Sequence, residues 1–187
     1  MMISNTNTSP LQQIRLALAG FGTVGREVVR LLQEEKLRYQ EALGVDLCLV
    51  TILDRSYQQK DTSGIPSTVR FTESVSKFLQ TPADIIIELL GGSDPADEII
   101  RTALTQQKAV ITANKLLMAQ SGKEYLALCN QYDSYIGFEA SVAGAIPIIR
   151  VLRRSLLSDR IMGIRGILNG TCNFILSEMG DNGLEYE

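Results

Sequence analysis

The sequence predicts a doubly wound α/β domain with a mainly parallel sheet, followed by the beginning of a second, α+β domain. Three observations carry that expectation. Short apolar runs recur along most of the chain and alternate with stretches whose apolar residues fall at helical spacing, the pattern of successive βαβ crossovers. The first such run leads straight into a glycine-rich turn, Gly20-Phe21-Gly22-Thr23-Val24-Gly25. Beyond Ser141 the texture changes to a hinge-like segment, Val142-Ala143-Gly144-Ala145-Ile146-Pro147, with a new apolar stretch after it.

The elements follow in order. Ile14 to Ala19 is apolar throughout except for Arg15, and reads as a buried strand. Val24, Val28, Leu31 and Leu32 share one helical face, and Leu43 closes that helical segment before Gly44. Leu47 to Leu53 is a second buried strand, stopped by Asp54, and residues 55–68 form a loop broken by Ser63-Gly64 and Pro66. A small strand near Val69 and a helix from about Glu73 to Leu79 precede a strong strand, Ile85 to Leu90. Pro95 suits a helix start, and Ala96, Ile99, Ile100, Ala103 and Leu104 give that helix one apolar face. Ala109 to Thr112 is the next strand, Lys115 to about Gln131 a helix, and Tyr135 to Phe138 a sixth strand. In the second part the pattern predicts a helix over Ile148 to Leu157, a strand over Ile161 to Leu168 and a helix ending near Met179. The domain boundaries expected are a disordered tail 1–12, the nucleotide-type domain 13–138, and 139–187 for the hinge and an incomplete second domain.

At 187 residues, with 45% hydrophobic and 21% charged residues, the chain has enough apolar material for a core without metal or disulfide staples. Eighteen basic against twenty-one acidic residues, a net charge of -3, argue against a nucleic-acid-binding or membrane-surface protein. Cys48, Cys129 and Cys172 are odd in number and far apart, so they form neither a disulfide framework nor a CxxC metal pair, which suits a reducing cytoplasm. Met1 to Pro10 is polar and lacks the basic and apolar regions of a signal peptide, and the apolar runs are too short to span a bilayer. The chain contains no histidine, which removes Ser-His-Asp, Cys-His, zinc-histidine and histidine proton-relay chemistry.

The turn between the first strand and helix matches GxGxxG, the Rossmann-type fingerprint for a dinucleotide. The first glycine permits the tight turn, the second lets the backbone approach a pyrophosphate, and the third allows close helix–strand packing. Taken alone the motif is weak, since a glycine-rich turn can be only a turn; its place between strand and helix favours dinucleotide binding. Asp54 is placed to accept hydrogen bonds from an adenosine ribose, although the stretch from Gly25 is longer than the roughly 20 residues usual for such an acid. Arg55 is placed to pair with a 2′-phosphate or simply to stand on a solvated loop, so NAD and NADP both remain open. Ligands of open α/β sheets bind beyond the carboxyl ends of the strands. Leu90-Gly91-Gly92 and Thr112-Ala113-Asn114-Lys115 fall there, with Gly91-Gly92 allowing close approach of a nicotinamide ribose. Lys115 can hold a substrate carboxylate or polarise a carbonyl, although a lysine at a helix start is by itself more often surface decoration.

Together, GFGTVG, ELLGG, ITANKLLMA, FEASVAGAIPII and GILNGTCNFIL resemble homoserine dehydrogenase in order and spacing, over nearly the whole chain from Ile14 to Met179. TANK and the last two motifs are specific to that family, which argues against a different NAD(P) enzyme such as another amino-acid dehydrogenase. The resemblance implies interconversion of L-homoserine and L-aspartate 4-semialdehyde by hydride exchange with NADP or NAD, in threonine and methionine biosynthesis, by a homodimer that binds neither nucleic acid nor membrane. It implies cofactor contacts from Gly20, Phe21, Gly22, Thr23, Val24, Gly25, Asp54, Arg55 (favouring NADP), Gly91, Thr112, Lys115 and, in the NGT turn, Gly170. It makes Lys115 a catalytic and substrate-binding residue, and places a sodium ion on Glu139 and the backbone of Val142, Gly144 and Ile146. The sequence departs from the family at Cys172, usually threonine and here expected to be a small buried filler, and at Phe174, usually tyrosine. The family's substrate-binding acid and its proton-handling aspartate–lysine pair follow the segment matching Gly183 to Glu187 and have no counterpart here. The expectation is therefore a truncated chain of low activity, with Ile148, Ile149, Val151 and Leu152 exposed. The alternative is a non-catalytic nucleotide-binding or redox-sensing module that keeps the cofactor cleft.

Overall fold

The computed structural model describes residues 10–167 and 169–186. It divides into two units, one up to Gly144 and one from Ala145. In the first, six strands form one sheet: β1 (Gln12–Ala19), β2 (Val45–Leu53), β3 (Arg70–Thr72), β4 (Ile85–Glu88), β5 (Ala109–Thr112) and β6 (Ile136–Gly137). Their order is β3-β2-β1-β4-β5-β6 and every pairing is parallel. The doubly wound α/β fold predicted from the sequence is thus the fold observed.

Strand alternation builds the two faces of this sheet. Ala17, Ala19, Leu53, Ile86 and Val110 point into one core, against Ile99, Ile100, Ala103 and Leu104 of helix α4 (Ala96–Thr105) and Tyr125 of helix α5 (Lys115–Tyr132). Leu16, Leu18, Ile52 and Ile87 point into the other, against Val29 of helix α1 (Thr23–Glu34). The face of α4 read from the sequence, Ala96, Ile99, Ile100, Ala103 and Leu104, is the buried set.

Several boundaries differ from expectation for physical reasons. The single helix expected up to Leu43 is two, α1 and α2 (Lys36–Leu43), with a non-helical Glu35 between them. Lys36 pairs with Asp46 at 3.0 Å and Gln40 donates to the same carboxylate at 2.8 Å, which ties α2 to the start of β2. The strand expected through Leu90 ends at Glu88, because the Leu90 N–H turns away from the ladder to the Glu88 carboxylate at 2.8 Å. The small helix after β3, α3 (Val75–Leu79), is capped by Ser74, whose hydroxyl accepts from Lys77 N–H.

In the second unit the expected helix over 148–157 appears as a short α-helical turn, α6 (Ile148–Arg150), running into a π-helical turn, Val151–Ser155. The strand expected over 161–168 is absent: residues 161–167 are irregular, and Leu168 lies outside the described residues. A strand needs a neighbour for its backbone donors and acceptors, and the described residues of this unit contain no other strand. The last helix, α7 (Gly170–Asn182), starts with Asn169 accepting from Cys172 N–H at 2.9 Å. Among the described residues no helix is long and apolar enough to cross a membrane.

α4 and α5 are joined by polar contacts as well as by packing. The fully buried Tyr125 donates its hydroxyl to Asp97 at 2.6 Å, and Arg101 bridges Asp97 and Glu124 at 2.8 and 2.7 Å. Removing a hydrogen bond to a charged acceptor costs about 1.5 kcal/mol or more. Tyr125→Phe is expected to lower the urea unfolding midpoint accordingly without changing the slope. An unchanged midpoint would show that the α4–α5 packing stands without this bond.

Candidate functional site

The strand order reverses between β1 and β4, and the chain there is packed to its limit. Gly20 has φ +102, and a Cβ on it would lie 2.7 Å from the Leu89 carbonyl oxygen. A Cβ on Gly25 would lie 2.0 Å from the Gly20 carbonyl oxygen, so α1 can start this close to β1 only with glycine there. Around Gly22 there is open space. Gly22 is the N-cap of α1 and carries no side chain to satisfy the first-turn N–H groups, which leaves the helix start suited to an anion. Thr23 and Val24 are exposed beside it, whereas the Phe21 side chain is buried edge-on against Phe71. Phe21 therefore faces the turn only through its backbone.

That backbone is held by Asp54. Its nearly buried carboxylate accepts from Phe21 N–H (2.9 Å), Ser56 N–H (2.9 Å), the Ser56 hydroxyl (3.2 Å) and Lys60 Nζ (2.6 Å). Burial pushes the Asp54 carboxyl up, but the bonds from Lys60, Ser56 and Phe21 and the Lys60 charge outweigh it and hold the group below its ordinary value. A carboxylate has room for about four donors, so a ribose hydroxyl reaches Asp54 only by displacing one of these. Arg55 is exposed at the same strand end, on the open side of the loop. Lys60 went unnoticed in the sequence. Its signal was a base shortly after a strand-ending acid, with no strong element between them.

The second cluster joins the ends of β4 and β5. Glu88 is fully buried; one carboxylate oxygen accepts from Leu90 N–H at 2.8 Å and the other from the Thr112 hydroxyl at 2.6 Å. The Thr112 oxygen in turn accepts from Asn114 N–H at 3.0 Å, and the Asn114 amide donates to the Gly92 carbonyl at 2.7 Å. Asn114 Oδ1 caps α5 by accepting from Leu117 N–H, and the Ser141 hydroxyl donates to the Thr112 carbonyl at 2.9 Å. Gly91 and Gly92 are both left-handed, with φ 73 and 71, and open space surrounds them. Thr112 itself is fully buried, so it supports the cleft from beneath, and its hydroxyl does not face outward. Glu88, Asn114 and Ser141 were not singled out in the sequence, although an acid in the run IIIELL is a signal, since charges are rarely buried without partners.

Lys115 is exposed as the first residue of α5. A cation at a helix N-terminus opposes the helix dipole by about 0.3–1 kcal/mol, and among the described residues Lys115 has no ion-pair partner. Glu139 opens a 3-10 turn (Glu139–Ser141), and Ala143 and Gly144 follow with φ 55 and 60. Ile146 and Gly170 belong to the unit that starts at Ala145; Ile146 is exposed, with its carbonyl accepting from Ile148 N–H, and Gly170 is the first residue of α7. Two expectations fail in that unit. Cys172 is exposed, not buried, because α7 buries none of its residues. Ile148, Ile149, Val151 and Leu152 are half-buried; the exposed apolar residues include Ile146, Leu157, Met162, Ile164, Ile167, Phe174 and Leu176.

Residues 20–139 match the family model for the NAD-binding domain of homoserine dehydrogenase, and residues 147–187 match that for homoserine dehydrogenase. The chain is 38% identical over 177 residues to the homoserine dehydrogenase of Bacillus subtilis, covering 95% of this chain and 41% of that protein. It is 35% identical to that of Neisseria gonorrhoeae, covering 94% and 40%. Its fold is similar to a homoserine dehydrogenase from Thiobacillus denitrificans, with a TM-score of 0.83 at 36% identity, covering 94% of this chain and 40% of that one. A hyperthermophilic archaeal homoserine dehydrogenase in complex with NADPH is similar with a TM-score of 0.66 at 26% identity, covering 79% and 50%. The chain spans about two-fifths of the length of the curated relatives it matches.

Two outcomes follow from the geometry of the turn. Gly25→Ala is expected to destabilise the fold by about 3 kcal/mol, because the new methyl meets fixed backbone; a thermal midpoint within a degree of the parent's would refute the close packing. The lowered Asp54 group contributes stability that is present above its unfolded value, about 4, and is lost as pH falls through the folded value. Asp54→Asn is expected to flatten the loss of stability below about pH 4, measured by denaturant unfolding across acidic pH. An acid limb as steep as the parent's would place that linkage elsewhere.

Proposed function

This chain belongs to the homoserine dehydrogenase family, and on that footing we propose that residues 13–138 hold NADP or NAD for the interconversion of L-homoserine and L-aspartate 4-semialdehyde. The observation that carries the proposal is the meeting, at the carboxyl ends of β1, β4 and β5, of an open helix N-terminus at Gly22 and a pair of left-handed glycines braced against the segment that starts α5 at Lys115. The pyrophosphate is assigned to the N–H groups around Gly22 to Gly25, and the adenosine end to the loop carrying Asp54, Arg55 and Lys60. Asp54, already filled by Lys60 among others, organises that loop, and Arg55 supplies positive charge suited to a 2′-phosphate, which favours NADP. The nicotinamide end is assigned to Gly91 and Gly92, with Thr112 supporting from below.

When bound, the dinucleotide supplies or accepts the hydride. Lys115 holds the substrate, by its carboxylate or by the carbonyl oxygen on which negative charge develops as hydride adds. Its freedom from an ion-pair partner leaves the ammonium available for that contact. Glu139 with the carbonyls of Val142 and Gly144 is proposed to hold sodium; a carboxylate with backbone carbonyls is a hard-oxygen donor set that suits such an ion. The whole protein is proposed to act as a cytoplasmic homodimer.

Titrating the chain with NADPH and NADH, followed by nicotinamide fluorescence, is expected to show saturable binding of at least one. A folded chain that binds neither would overturn the assignment of the cleft. With the cofactor bound, homoserine is expected to perturb that fluorescence, and Lys115→Met to raise the homoserine concentration required by about a hundredfold, the cost of losing one charged contact. An unchanged homoserine response in Lys115→Met would remove Lys115 from the substrate site.

A further inference from the structure

The bonds at the ends of β4 and β5 form a closed ring, and the ring passes through Glu88. From one Glu88 oxygen it runs to Leu90 N–H, along the chain to the Gly92 carbonyl, across to the Asn114 amide, from Asn114 N–H to the Thr112 hydroxyl, and from that hydroxyl back to the other Glu88 oxygen. Gly91 and Gly92 lack side chains and are surrounded by open space, and Gly92 is held by its carbonyl bond to Asn114. Asn114 is also the cap of α5, so the ring places the two glycines and Lys115 relative to one another.

Glu88 sets the sense of the one hydroxyl in the ring; the backbone N–H groups can only donate, and the Asn114 amide is oriented by its bond from Leu117 N–H. An acceptor-only carboxylate obliges both Leu90 N–H and the Thr112 hydroxyl to donate to it. With its proton committed to Glu88, the Thr112 oxygen is free to accept from Asn114 N–H. An amide in place of the carboxylate cannot serve both sides: one orientation points NH₂ at Leu90 N–H, and the other crowds a donor onto Thr112 while stranding the hydroxyl proton. Buried and unpaired donors are costly, so the ring is expected to open and not to adapt.

We propose that Glu88 is a positioning residue for the nicotinamide half of the cofactor, fixing Gly91, Gly92 and Lys115 through this ring while leaving the adenosine half to the loop carrying Asp54, Arg55 and Lys60. The inference rests on the proposal that the cleft binds a nicotinamide dinucleotide. The test is Glu88→Gln in the same chain, titrated with NADPH and NADH by nicotinamide fluorescence and with 2′,5′-ADP and ADP by calorimetry. Dinucleotide binding is expected to weaken about tenfold, and binding of the two adenosine nucleotides to change by less than about twofold, as distant sites do. Equal losses for all four ligands would show that Glu88 only stabilises the fold, and unchanged dinucleotide binding would show that the ring does not position the cofactor; either overturns the inference. Should Glu88→Gln fail to fold, Thr112→Val opens the same ring from the other side without burying an amide, and is read by the same contrast. A parent chain that binds no dinucleotide would overturn the cofactor assignment itself, a result distinct from a parent that binds and a variant that shows no contrast.

Discussion

The backbone contact between Gly25 and the Gly20 carbonyl is the constraint on which the rest of the structure depends. It brings the start of α1 against the end of β1, the strand that pairs on both edges and contributes to both cores. Gly20 N–H donates to the Leu53 carbonyl and Leu89 N–H to the Ala19 carbonyl, so the ends of β1, β2 and β4 are locked together at this point. A larger residue at either glycine would push α1 outward or pull β1 and β4 apart, and the helix N-terminus would no longer sit over the reversal in strand order. Packing and the capacity to bind an anion are here consequences of one contact.

Two buried acids extend that arrangement sideways. β2 ends at Leu53, just before Asp54, and β4 ends at Glu88; the two strands flank β1. Each acid turns back to accept a backbone N–H from a turn at the strand ends, Phe21 for Asp54 and Leu90 for Glu88, and each is completed by side-chain donors. Burying a carboxylate is costly unless its lone pairs are used, and in both places they are used on segments that could not hold themselves. The turn after β1 is stiffened through a lysine and a serine, the turn after β4 through a threonine and an asparagine. The two halves of the cleft thus have separate supports, which is why a change in one need not disturb the other.

Much of this was legible in the sequence, because it depends on local pattern. Alternation in the apolar runs marks strands that feed two cores, and the five apolar residues of α4 fall at helical spacing because that is the face it buries. GxGxxG in its strand–helix setting points to the turn, and TANK to Lys115. What stayed hidden depends on pairing across the fold. Asp54 looks like a ribose ligand until Phe21, Ser56 and Lys60 are seen to fill it, and Thr112 looks like a wall of the cleft until its hydroxyl is seen to face Glu88. The break at Glu35 is of the same kind, since Asp46 draws α2 to β2 from beyond the helix.

The second unit shows the same division in another form. Its elements that appear are helical, and a helix closes its hydrogen bonds within its own segment. α7 therefore stands with none of its residues buried, capped by Asn169, although Phe174 and Leu176 face outward. A strand has no such independence. Residues 161–167 carry Ile161, Ile164 and Ile167, yet with no neighbouring strand among the described residues they remain irregular. Local pattern is thus a sufficient guide where an element satisfies itself, and an insufficient one where half of its bonds belong to another segment. The first unit meets both conditions. It combines self-sufficient helices with strands that all find parallel partners, and so it holds the clusters around Asp54 and Glu88 at its strand ends within its own residues.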